Sequence, residues 1–538
     1  MTGQAKVDFQ AQALHMLGPS ILYNEYGVEQ MTNNNQNTPV NIVLLSPEKE
    51  LAAAGQDVVR LFYRNSRIFF QPVDGYDIVL TVSASREGRF LTGKARLKTR
   101  TTSLEEEVPV EKTVFTEDTG NEKKRLIRLA LYRLLINFTE TPPRPWGILT
   151  GIRPTKIVHR LLDLAWGKPE IIDYLTANYA LAADKADLLT GIAAEQRPFL
   201  LNKEQAENTI SVYIGIPFCP TRCAYCSFPS YPVDRAGRFL EPFLEALKLE
   251  IKGLGQAVES LGRKARTIYI GGGTPTVLNS GQLSSVLESV RTNLFSDETV
   301  EITLEAGRPD TVTAEKLSAA LEYGVTRLSI NPQSMNPHTL SLIGRCHTPE
   351  DILRSMEKAR QTGFKNINMD MIIGLPGEGC RDIKHTLQEI GKMRPENLTV
   401  HTLAVKRASR IKEAKEYFNL PPREEVEKML EITAAAALKM GMKPYYLYRQ
   451  KNMVGPLENI GYAQPGTECI YNIQIIEERQ TIVGLGGGAG SKFVEPGTWY
   501  LTSRYNPKDP ETYIRKVDEL VRQKVDMLTK GYTEKRGK

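Results

Sequence analysis

The sequence is poor in cysteine and contains no long hydrophobic run. Six cysteines among 538 residues are too few for a disulfide scaffold. No uncharged apolar stretch reaches the roughly 18 residues that a membrane helix requires. The first ten residues, MTGQAKVDFQ, lack the basic and then apolar pattern of a secretory signal. We therefore expect a cytoplasmic protein in a reducing compartment, without a membrane span.

The sequence also lacks a strong excess of one charge. Lysine and arginine together number 69, and aspartate and glutamate number 63, which leaves a net charge of +6. Basic residues do not cluster with stacking aromatic residues, so we do not expect a nucleic acid partner. With 41% apolar and 25% charged residues, the composition is that of a globular protein with about three to four domains.

Residues 1–205 differ in pattern from the rest of the chain. The polar tract at 31–39 is expected to be a surface loop, and residues 76–82 alternate in the way of a strand that is exposed on one face. From Lys123 onward, apolar residues recur at helical spacing and form one stripe. We expect an α+β accessory domain without chemistry of its own.

From Ser211 onward, short apolar runs alternate with amphipathic helices. The predicted strands are residues 212–216, 267–270, 299–304, 326–330, 367–373 and 398–405. Thr313 and Thr348 are predicted helix caps, and Gly363 is a predicted helix end. This alternation predicts a parallel sheet, either doubly wound or a partial (β/α) barrel. In both folds, reactive residues should collect where the strands end.

Three cysteines lie in one short segment just past the first predicted strand. Cys219, Cys223 and Cys226 have the spacing C-x₃-C-x₂-C. A structural zinc site usually takes four protein ligands, and the nearby sequence offers no fourth Cys or His. Three thiolates on a tight loop instead fit a [4Fe–4S] cluster with one open iron. The remaining cysteines are expected to be buried as small apolar residues: Cys346, Cys380 and Cys469.

Glycines and polar side chains follow the later strands. The run 271–273 is all glycine, which allows close approach to a ligand and exposes backbone N–H groups. Glu305 ends the third strand region and Gln333 follows the fourth. Asp370 lies inside the fifth strand, where a carboxylate is costly without a partner. We expect a functional role for Asp370, with structural hydrogen bonding as the alternative.

The cysteine motif, with Tyr225 before its third cysteine, resembles the signature of radical S-adenosylmethionine (SAM) enzymes. Over roughly 211–492 the chain resembles the oxygen-independent coproporphyrinogen III oxidases and their heme-chaperone relatives, and its large N-terminal extension is most similar to the HemZ variant. The matching strings are YIGIPFC, GGGTPT, TLEAGRPD, RLSINPQSMNPHTLSLIGR, NINMDMIIGLPGE, YAQPGTECIYN and VGLGGGAGS. The resemblance implies a partial (β/α)₆ barrel of radical SAM type at 206–420. It also implies an N-terminal α+β accessory domain at 1–205 and a mostly helical, substrate-covering region at 421–538.

The resemblance implies a [4Fe–4S] cluster on the three motif cysteines and one or two molecules of SAM. The residues that would contact the cluster-bound SAM are Tyr213, Gly272, Glu305 and Gly490. The residues that match the surroundings of a second SAM are Tyr225, Gly273, Thr274, Gln333, Arg345, Asp370 and Ala404. For the glycine-rich stretch 484–490, a tight turn is the alternative interpretation.

Three positions depart from the family pattern. Phe228 stands where the oxidases have a fourth cysteine, so that the string CSF is closer to the CDF of the chaperones. Gly215 replaces a histidine before the motif, and Tyr471 replaces the histidine of a later His-Asn pair. The SAM machinery is therefore intact in sequence, while the substrate side is altered.

The resemblance implies that the protein oxidatively decarboxylates two propionates of coproporphyrinogen III to vinyl groups, giving protoporphyrinogen IX. A low-potential donor such as flavodoxin or ferredoxin would supply electrons. Candidate cations for the tetracarboxylate substrate are Arg222, Arg345, Lys406, Arg407 and Arg410. The alternative is a heme-binding chaperone without decarboxylase activity, in which Cys469 or Tyr471 would replace histidine as the heme ligand. RNA modification ranks third.

Overall fold

The computed structural model describes residues 39–529, except for 64, 112, 116–117, 407–408, 414–416, 451–452 and 454–456. The chain forms two compact units, Met1–Thr141 and Pro142–Lys538. The domain boundaries predicted at residues 205 and 420 both fall within the second unit. Whether that unit divides at these positions stays a prediction. Apart from Pro39, the predicted loop at 31–39 lies outside the described residues.

The first unit has the α+β organisation that the sequence predicts. Its elements are β1 (Asn41–Leu45), α1 (Lys49–Phe62), β2 (Arg67–Phe69), β3 (Ile78–Glu87), β4 (Phe90–Lys98), β5 (Ser103–Val110) and α2 (Thr119–Thr139). The sheet order is β2-β1-β3-β4-β5, with β1 parallel to both neighbours and β3 to β5 antiparallel. Gly93 on β4 allows α2 to approach closely, because a Cβ there would lie 2.6 Å from the Leu126 backbone.

The second unit begins with helices and continues into the predicted strand–helix alternation. The elements up to the fourth strand of its sheet are α3 (Thr155–Asp163), α4 (Lys168–Tyr179), α5 (Ala183–Gln196), α6 (Lys203–Asn208), β6 (Thr209–Ile216), β7 (Phe218–Cys219), β8 (Tyr231–Pro232), α7 (Val233–Ala236), α8 (Leu240–Ser260), β9 (Lys264–Gly272), α9 (Ser280–Asn293), β10 (Glu301–Glu305), α10 (Ala314–Glu322) and β11 (Arg327–Ser329). The elements that complete the six-strand core are α11 (Pro337–Leu342), α12 (Pro349–Thr362), β12 (Ile367–Ile373), α13 (Cys380–Met393) and β13 (Asn397–Thr402).

The six predicted strands form one continuous parallel array. In the main sheet, β13, β12, β11, β10, β9 and β6 are neighbours in this order, and every pairing among them is parallel. The predicted caps are confirmed: the Thr313 and Thr348 hydroxyls accept backbone N–H groups, and Gly363 ends α12 with φ of 114°. This array has the strand order and parallel pairing expected for the predicted partial (β/α)₆ barrel.

The C-terminal region contributes strands as well as helices. Its elements are α14 (Arg410–Glu413), α15 (Arg423–Lys439), β14 (Lys443–Tyr448), β15 (Asn459–Ala463), α16 (Ile470–Glu477), β16 (Ile482–Gly486), β17 (Gly490–Val494), β18 (Leu501–Tyr505) and α17 (Pro510–Thr529). The main sheet therefore has the order β14-β15-β13-β12-β11-β10-β9-β6-β16-β17-β18. The five added strands extend it at both edges, and β16 lies parallel to β6. No described helix is long and apolar enough to cross a membrane.

Candidate functional site

A cavity of about 640 Å³ lies at the carboxyl ends of the parallel strands. Its lining includes the last residues of β9 and β10 and residues that directly follow β11 and β13. This is where parallel α/β folds collect their reactive groups. All predicted cluster and SAM residues line it: Tyr213, Cys219, Cys223, Tyr225, Cys226, Gly272, Gly273, Thr274, Glu305, Gln333, Arg345, Asp370, Ala404 and Gly490. The structure thus brings together residues that are up to 277 positions apart in the chain.

The cysteine loop is held in place by backbone hydrogen bonds. Cys219 ends β7, which pairs with β8, and the Ala224 N–H donates to the Ile343 carbonyl at 2.9 Å. The Cys226 N–H donates to the Cys223 carbonyl at 3.2 Å, which closes a tight turn. Cys219 and Cys223 are buried and Cys226 is half-buried. The three thiols therefore converge on the same cavity from a short, well-anchored loop.

Polar side chains approach two of these sulfurs. The Thr274 hydroxyl donates to Cys219 Sγ at 3.5 Å, and Arg308 Nη1 donates to Cys223 Sγ at 3.7 Å. Burial raises the pKa of the Cys219 thiol to about 11, so this thiol is protonated unless a metal binds it. Arg308 was not among the predicted site residues. Arg308 forms an ion pair with Asp310, two residues later in the chain. The sequence around it gives no sign that it also contacts the cysteine loop.

The three thiols suit a metal cluster better than a single ion. Among the described residues, no three His, Cys, Asp or Glu side chains are placed as ligands of one ion. In a [4Fe–4S] cluster each cysteine binds a different iron, so the sulfurs must surround a larger body rather than meet at a point. All three cysteines line the cavity, and a [4Fe–4S] cluster held by them would have one iron without a protein ligand.

The glycine run lets the second strand approach both the cysteine loop and Glu305. A Cβ on Gly273 would lie 2.5 Å from the Phe218 carbonyl oxygen and 2.9 Å from Cys219 Sγ. A Cβ on Gly271 would lie within 2.9 Å of the Glu305 carboxylate oxygens. Any side chain at these positions would displace a neighbour. The glycines are therefore required by close packing inside the cavity.

Glu305 is the carboxylate nearest to this glycine run. The Tyr269 hydroxyl and the Gly272 N–H donate to it at 2.7 and 3.2 Å. Burial, reinforced by the charge of Asp370, raises its pKa to about 7 despite these two hydrogen bonds. A buried carboxylate at the end of β10 is thus poised to accept hydrogen bonds from a ligand in the cavity.

Two predicted residues leave buried polar atoms without a partner in the described part of the chain. They are Gln333 Oε1 and Arg345 Nε. Gln333 has a positive φ of 65°. Its N–H donates to the Asp370 carbonyl at 2.9 Å, and its carbonyl accepts from the Ile372 N–H at 3.0 Å, both on β12. Because unsatisfied buried polar atoms are rare in native proteins, both atoms indicate that a polar ligand completes the site. This fits a SAM molecule beside the cluster.

Asp370 has the partners that a buried carboxylate requires. Asn368 Nδ2 donates to it at 2.7 Å, and His401 Nε2 lies 3.7 Å away. Burial alone would raise the pKa of Asp370, but hydrogen bonding and the charge of His401 bring it below its ordinary value. His401 Nδ1 in turn lies 3.1 Å from the Tyr448 hydroxyl. Asp370, His401 and Tyr448 therefore form a polar chain along the cavity wall.

The largest feature that sequence reasoning missed is a set of tyrosines on the cavity wall. Tyr213, Tyr269 and Tyr471 stack on one another, with ring centroids between 4.7 and 6.3 Å apart. Tyr446 and Tyr448 stack at 6.3 Å with their planes 3° apart. The tyrosines come from β6, β9, β14 and α16, and nothing in the local sequence signals that they meet. They give the cavity a flat, partly apolar wall.

The three departures from the family pattern occupy different places. Tyr471 belongs to the tyrosine wall, and Phe228 lies at the cavity rim with 62% of its surface exposed. Gly215 faces the turn after β16, where a Cβ would lie 3.2 Å from the Gly487 carbonyl oxygen. The stretch 484–490 forms β16 and a tight turn that leads into β17, which agrees with the alternative interpretation. Gly487, Gly488 and Gly490 also line the cavity.

The expected cation set is only partly correct. Arg345 and Lys406 line the cavity, whereas Arg222 and Arg410 are exposed and do not line it. Arg407 lies outside the described residues. Arg222 lies between the first two motif cysteines, and Arg410 is the first residue of the short helix α14.

The isolated cysteines also differ from one another. Cys469 is buried as expected, with its Sγ 3.4 Å from a Glu301 carboxylate oxygen. Cys380 is half-buried, and the expectation for Cys346 is wrong because it is exposed. Cys346 lies between the buried residues Arg345 and His347. Neither Cys469 nor Cys346 lines the cavity, which leaves Tyr471 as the candidate heme ligand that does.

Comparison with known proteins places this site in a family. Residues 213–390 match the family model described as the radical SAM superfamily. The chain is 39% identical to the oxygen-independent coproporphyrinogen-III oxidase-like protein HemZ of Bacillus subtilis, over 88% of this chain and 94% of that protein. The chain belongs to the HemZ family of radical SAM proteins.

The chain is also similar to proteins that carry other names. The chain is 32% identical to the heme chaperone HemW of Bacillus subtilis, over 52% of this chain and 70% of that protein. It resembles the solved structure of coproporphyrinogen III oxidase (HemN) from Escherichia coli, described as a radical SAM enzyme. That match has 25% identity and a TM-score of 0.49, and it covers 61% of this chain and 73% of HemN. Membership of the radical SAM superfamily implies a [4Fe–4S] cluster and SAM.

Proposed function

We propose that the protein is a radical SAM enzyme that oxidatively decarboxylates the propionates of coproporphyrinogen III to vinyl groups, giving protoporphyrinogen IX. The observation that carries this proposal is the single cavity lined by all predicted cluster and SAM residues. When bound there, the cluster and SAM would supply a 5′-deoxyadenosyl radical that takes one hydrogen atom from each propionate; CO₂ would then leave, and an external one-electron acceptor would take the remaining electron. The chain's own residues would bind, orient and shield the reactants.

Each side of the cavity has a distinct task in this proposal. Cys219, Cys223 and Cys226 would hold the cluster, with Arg308 beside Cys223 offsetting negative charge on the sulfur. Glu305 and the exposed N–H groups of the glycine run would orient SAM. The unpartnered Gln333 Oε1 and Arg345 Nε atoms would hydrogen-bond to a second SAM, as the family resemblance implies.

The substrate would lie against the tyrosine wall. Porphyrinogens are large, and their pyrrole rings suit flat aromatic surfaces such as the stacked Tyr213, Tyr269 and Tyr471. Lys406 lines the same cavity and could pair with a propionate carboxylate. His401 and Tyr448, whose side chains lie 3.1 Å apart in the same cavity lining, would offer polar groups to the substrate.

A heme-binding chaperone is the second candidate function. It is favoured by Phe228 at the position of the oxidases' fourth cysteine and by 32% identity to the heme chaperone HemW. In this case the tyrosine wall would bind heme, and the phenol of Tyr471 would be the iron ligand, as in other tyrosine-ligated hemes. The cluster would then regulate delivery rather than catalyse decarboxylation.

An anaerobic assay separates the two candidates. Reconstituted protein is mixed with dithionite, SAM and coproporphyrinogen III, and 5′-deoxyadenosine and porphyrin carboxylates are measured. We expect both 5′-deoxyadenosine and products with fewer carboxylates. If 5′-deoxyadenosine forms without decarboxylated product, the oxidase proposal fails. Stoichiometric heme uptake under the same conditions, abolished by Tyr471→Phe, would support the chaperone instead.

A further inference from the structure

We propose that Lys492 is a carboxylate-binding residue of the cavity and pairs with a propionate of a tetrapyrrole that lies against the stacked Tyr213, Tyr269 and Tyr471. The inference deepens the proposed function and rests on it for the identity of the ligand. Lys492 was not among the cations expected from the sequence, and it lies outside residues 213–390, which match the superfamily model. It therefore belongs to a part of the cavity that this match does not cover.

Lys492 reaches the cavity from strand β17. Gly490 and Lys492 stand two positions apart on this strand, and both line the cavity. Residues two positions apart lie on the same face of a strand, about 7 Å from each other. Gly490 is an expected contact of the cluster-bound SAM. Lys492 therefore lies next to the part of the cavity where SAM is expected.

The ammonium group of Lys492 lies one helical turn from Tyr471. Lys492 Nζ donates to the Ile475 carbonyl at 2.7 Å, and Ile475 follows Tyr471 by four positions on α16. Residues four positions apart are neighbours on one face of a helix, and both Tyr471 and Ile475 line the cavity. A tetrapyrrole that lies flat against Tyr471 would thus place its edge near Lys492. Propionates are attached at the edge of such a ring, so a carboxylate would come within reach of the ammonium group.

Lys492 shares one carboxylate with two other cations. Glu478 Oε1 lies 2.9 Å from Lys492 Nζ and 2.8 Å from Arg153 Nη1, and Glu478 Oε2 pairs with Lys156. Arg153 Nε is buried without a hydrogen-bond partner in the described part of the chain. Burial and the charge of Arg153 lower the pKa of Lys492 to about 8, although Glu478 opposes this. Because one carboxylate does not offset three cations, a second carboxylate supplied by a ligand would be stabilised here.

The other cations of the described cavity lining have different surroundings. Arg308 contacts a cluster thiol, and Arg345 donates to two backbone carbonyls. Lys406 Nζ lies 6.0 Å from the centroid of the Phe228 ring at the cavity rim. Lys492 is thus the lining cation that stands beside the stacked tyrosines, where the flat part of the ligand would lie.

The test measures binding of coproporphyrin III, the stable oxidised form of the proposed substrate, which carries the same four propionates. The reconstituted full chain is titrated anaerobically, and the quenching of porphyrin fluorescence gives Kd. The main variant is Lys492→Met, which removes the charge and keeps the length of the side chain. The matched control is Lys443→Met on β14, because Lys443 also pairs with a glutamate at 2.9 Å but does not line the cavity.

We expect Lys492→Met to weaken coproporphyrin III binding at least about tenfold, because a charge-assisted hydrogen bond is lost, while the control stays within about threefold of the wild type. Lys492→Arg should restore most of the binding, since it keeps the charge. Glu478→Gln should tighten binding, because the ammonium group is then no longer shared with that carboxylate. Unchanged binding by Lys492→Met, or equal weakening in the control, would overturn the assignment. Weakening by both Lys492→Met and Glu478→Gln would also overturn it, since the ion pair would then have a structural role.

Kinetic measurements separate this inference from the proposed function. With dithionite, SAM and coproporphyrinogen III, Lys492→Met should raise KM at least about tenfold and lower kcat by a smaller factor. Decarboxylation with the same KM in the wild type and in Lys492→Met would overturn the carboxylate assignment and leave the proposed function intact. A wild type that forms no decarboxylated product would refute the decarboxylase, and the Kd values for coproporphyrin III would still decide the role of Lys492.

Discussion

A buried ion pair, Glu250 with Lys524, is predicted to hold the C-terminal helix α17 to the cavity wall. Glu250 lies on α8 with its side chain fully buried, and Lys524 Nζ on α17 donates to its carboxylate. The Gly486 N–H and the Tyr513 hydroxyl also donate to Glu250, each at 2.7 Å. Asn506 accepts from Lys524 at 2.7 Å and donates to the Gly486 carbonyl at 2.8 Å. One carboxylate thus joins α8, α17 and the glycine turn that lines the cavity.

The free energy lost when one partner is removed follows from the burial of both charges. Removing one partner leaves the other charge uncompensated, which costs about 3–5 kcal/mol at buried sites. We therefore expect Glu250→Gln and Lys524→Met each to destabilise the docking of α17 by that amount. The double variant has no buried charge left, so its cost should be well below the sum of the two, with a coupling energy of up to about 3 kcal/mol.

Hydrogen–deuterium exchange of peptides from α17 measures the loss of docking free energy directly, because the exchange rate reports local opening of the helix. A loss of about 3–5 kcal/mol corresponds to a rise in exchange of roughly 100- to 4,000-fold, at about 1.4 kcal/mol per factor of ten. The control is Lys516→Met on the same helix, whose pair with Glu519 is about half exposed on both sides. We expect that control to change exchange by less than about fivefold. Single-variant exchange within threefold of the wild type, or strictly additive effects, would refute the reasoning.

Three further predictions concern the cavity. Gly273→Ala should lower the iron content after reconstitution, because the added Cβ would lie 2.9 Å from Cys219 Sγ and displace that sulfur. The measurement is the number of iron atoms per chain. Phe228→Cys should leave the iron content unchanged and shift stability by less than about 0.5 kcal/mol, since the side chain is 62% exposed. The raised pKa of Glu305, about 7, means that the native state binds more protons than the unfolded state above about pH 4.5. Stability should therefore fall as pH rises from about 4.5 to 7, and Glu305→Gln should flatten that part of a denaturant-unfolding profile.

The six central strands were predictable because their signals are local. Residues 367–373 were predicted as a strand and form β12 with the same bounds. Buried parallel strands read as continuous apolar runs, and the helices between them carry caps such as Thr348. Distant residues such as Tyr213 and Gly490 were assigned to one site through the family resemblance, and the structure places both in the cavity lining.

Two of the C-terminal strands that were missed carry glycine inside or at the end of the strand. β15 reads NIGYA and β16 reads IVGLG, and glycine weakens strand propensity. The structure gives the reason for these glycines. A Cβ on Gly461 would lie 1.8 Å from the Tyr446 ring, and a Cβ on Gly486 would lie 2.1 Å from the Gly215 carbonyl oxygen. The glycines are set by close contacts between distant segments, which the local pattern does not contain.

The same long-range contacts decide which sequence departures matter for the substrate. Phe228 is exposed at the rim, so the loss of a cysteine there changes the entrance and leaves the cavity centre as it is. Tyr471 stacks on Tyr269 at 4.7 Å, and the Tyr269 hydroxyl bonds to Glu305. Replacing histidine by tyrosine at 471 therefore alters a wall that is connected to the carboxylate expected to orient SAM. Substrate choice in this protein should depend more on the tyrosine wall than on the missing fourth cysteine.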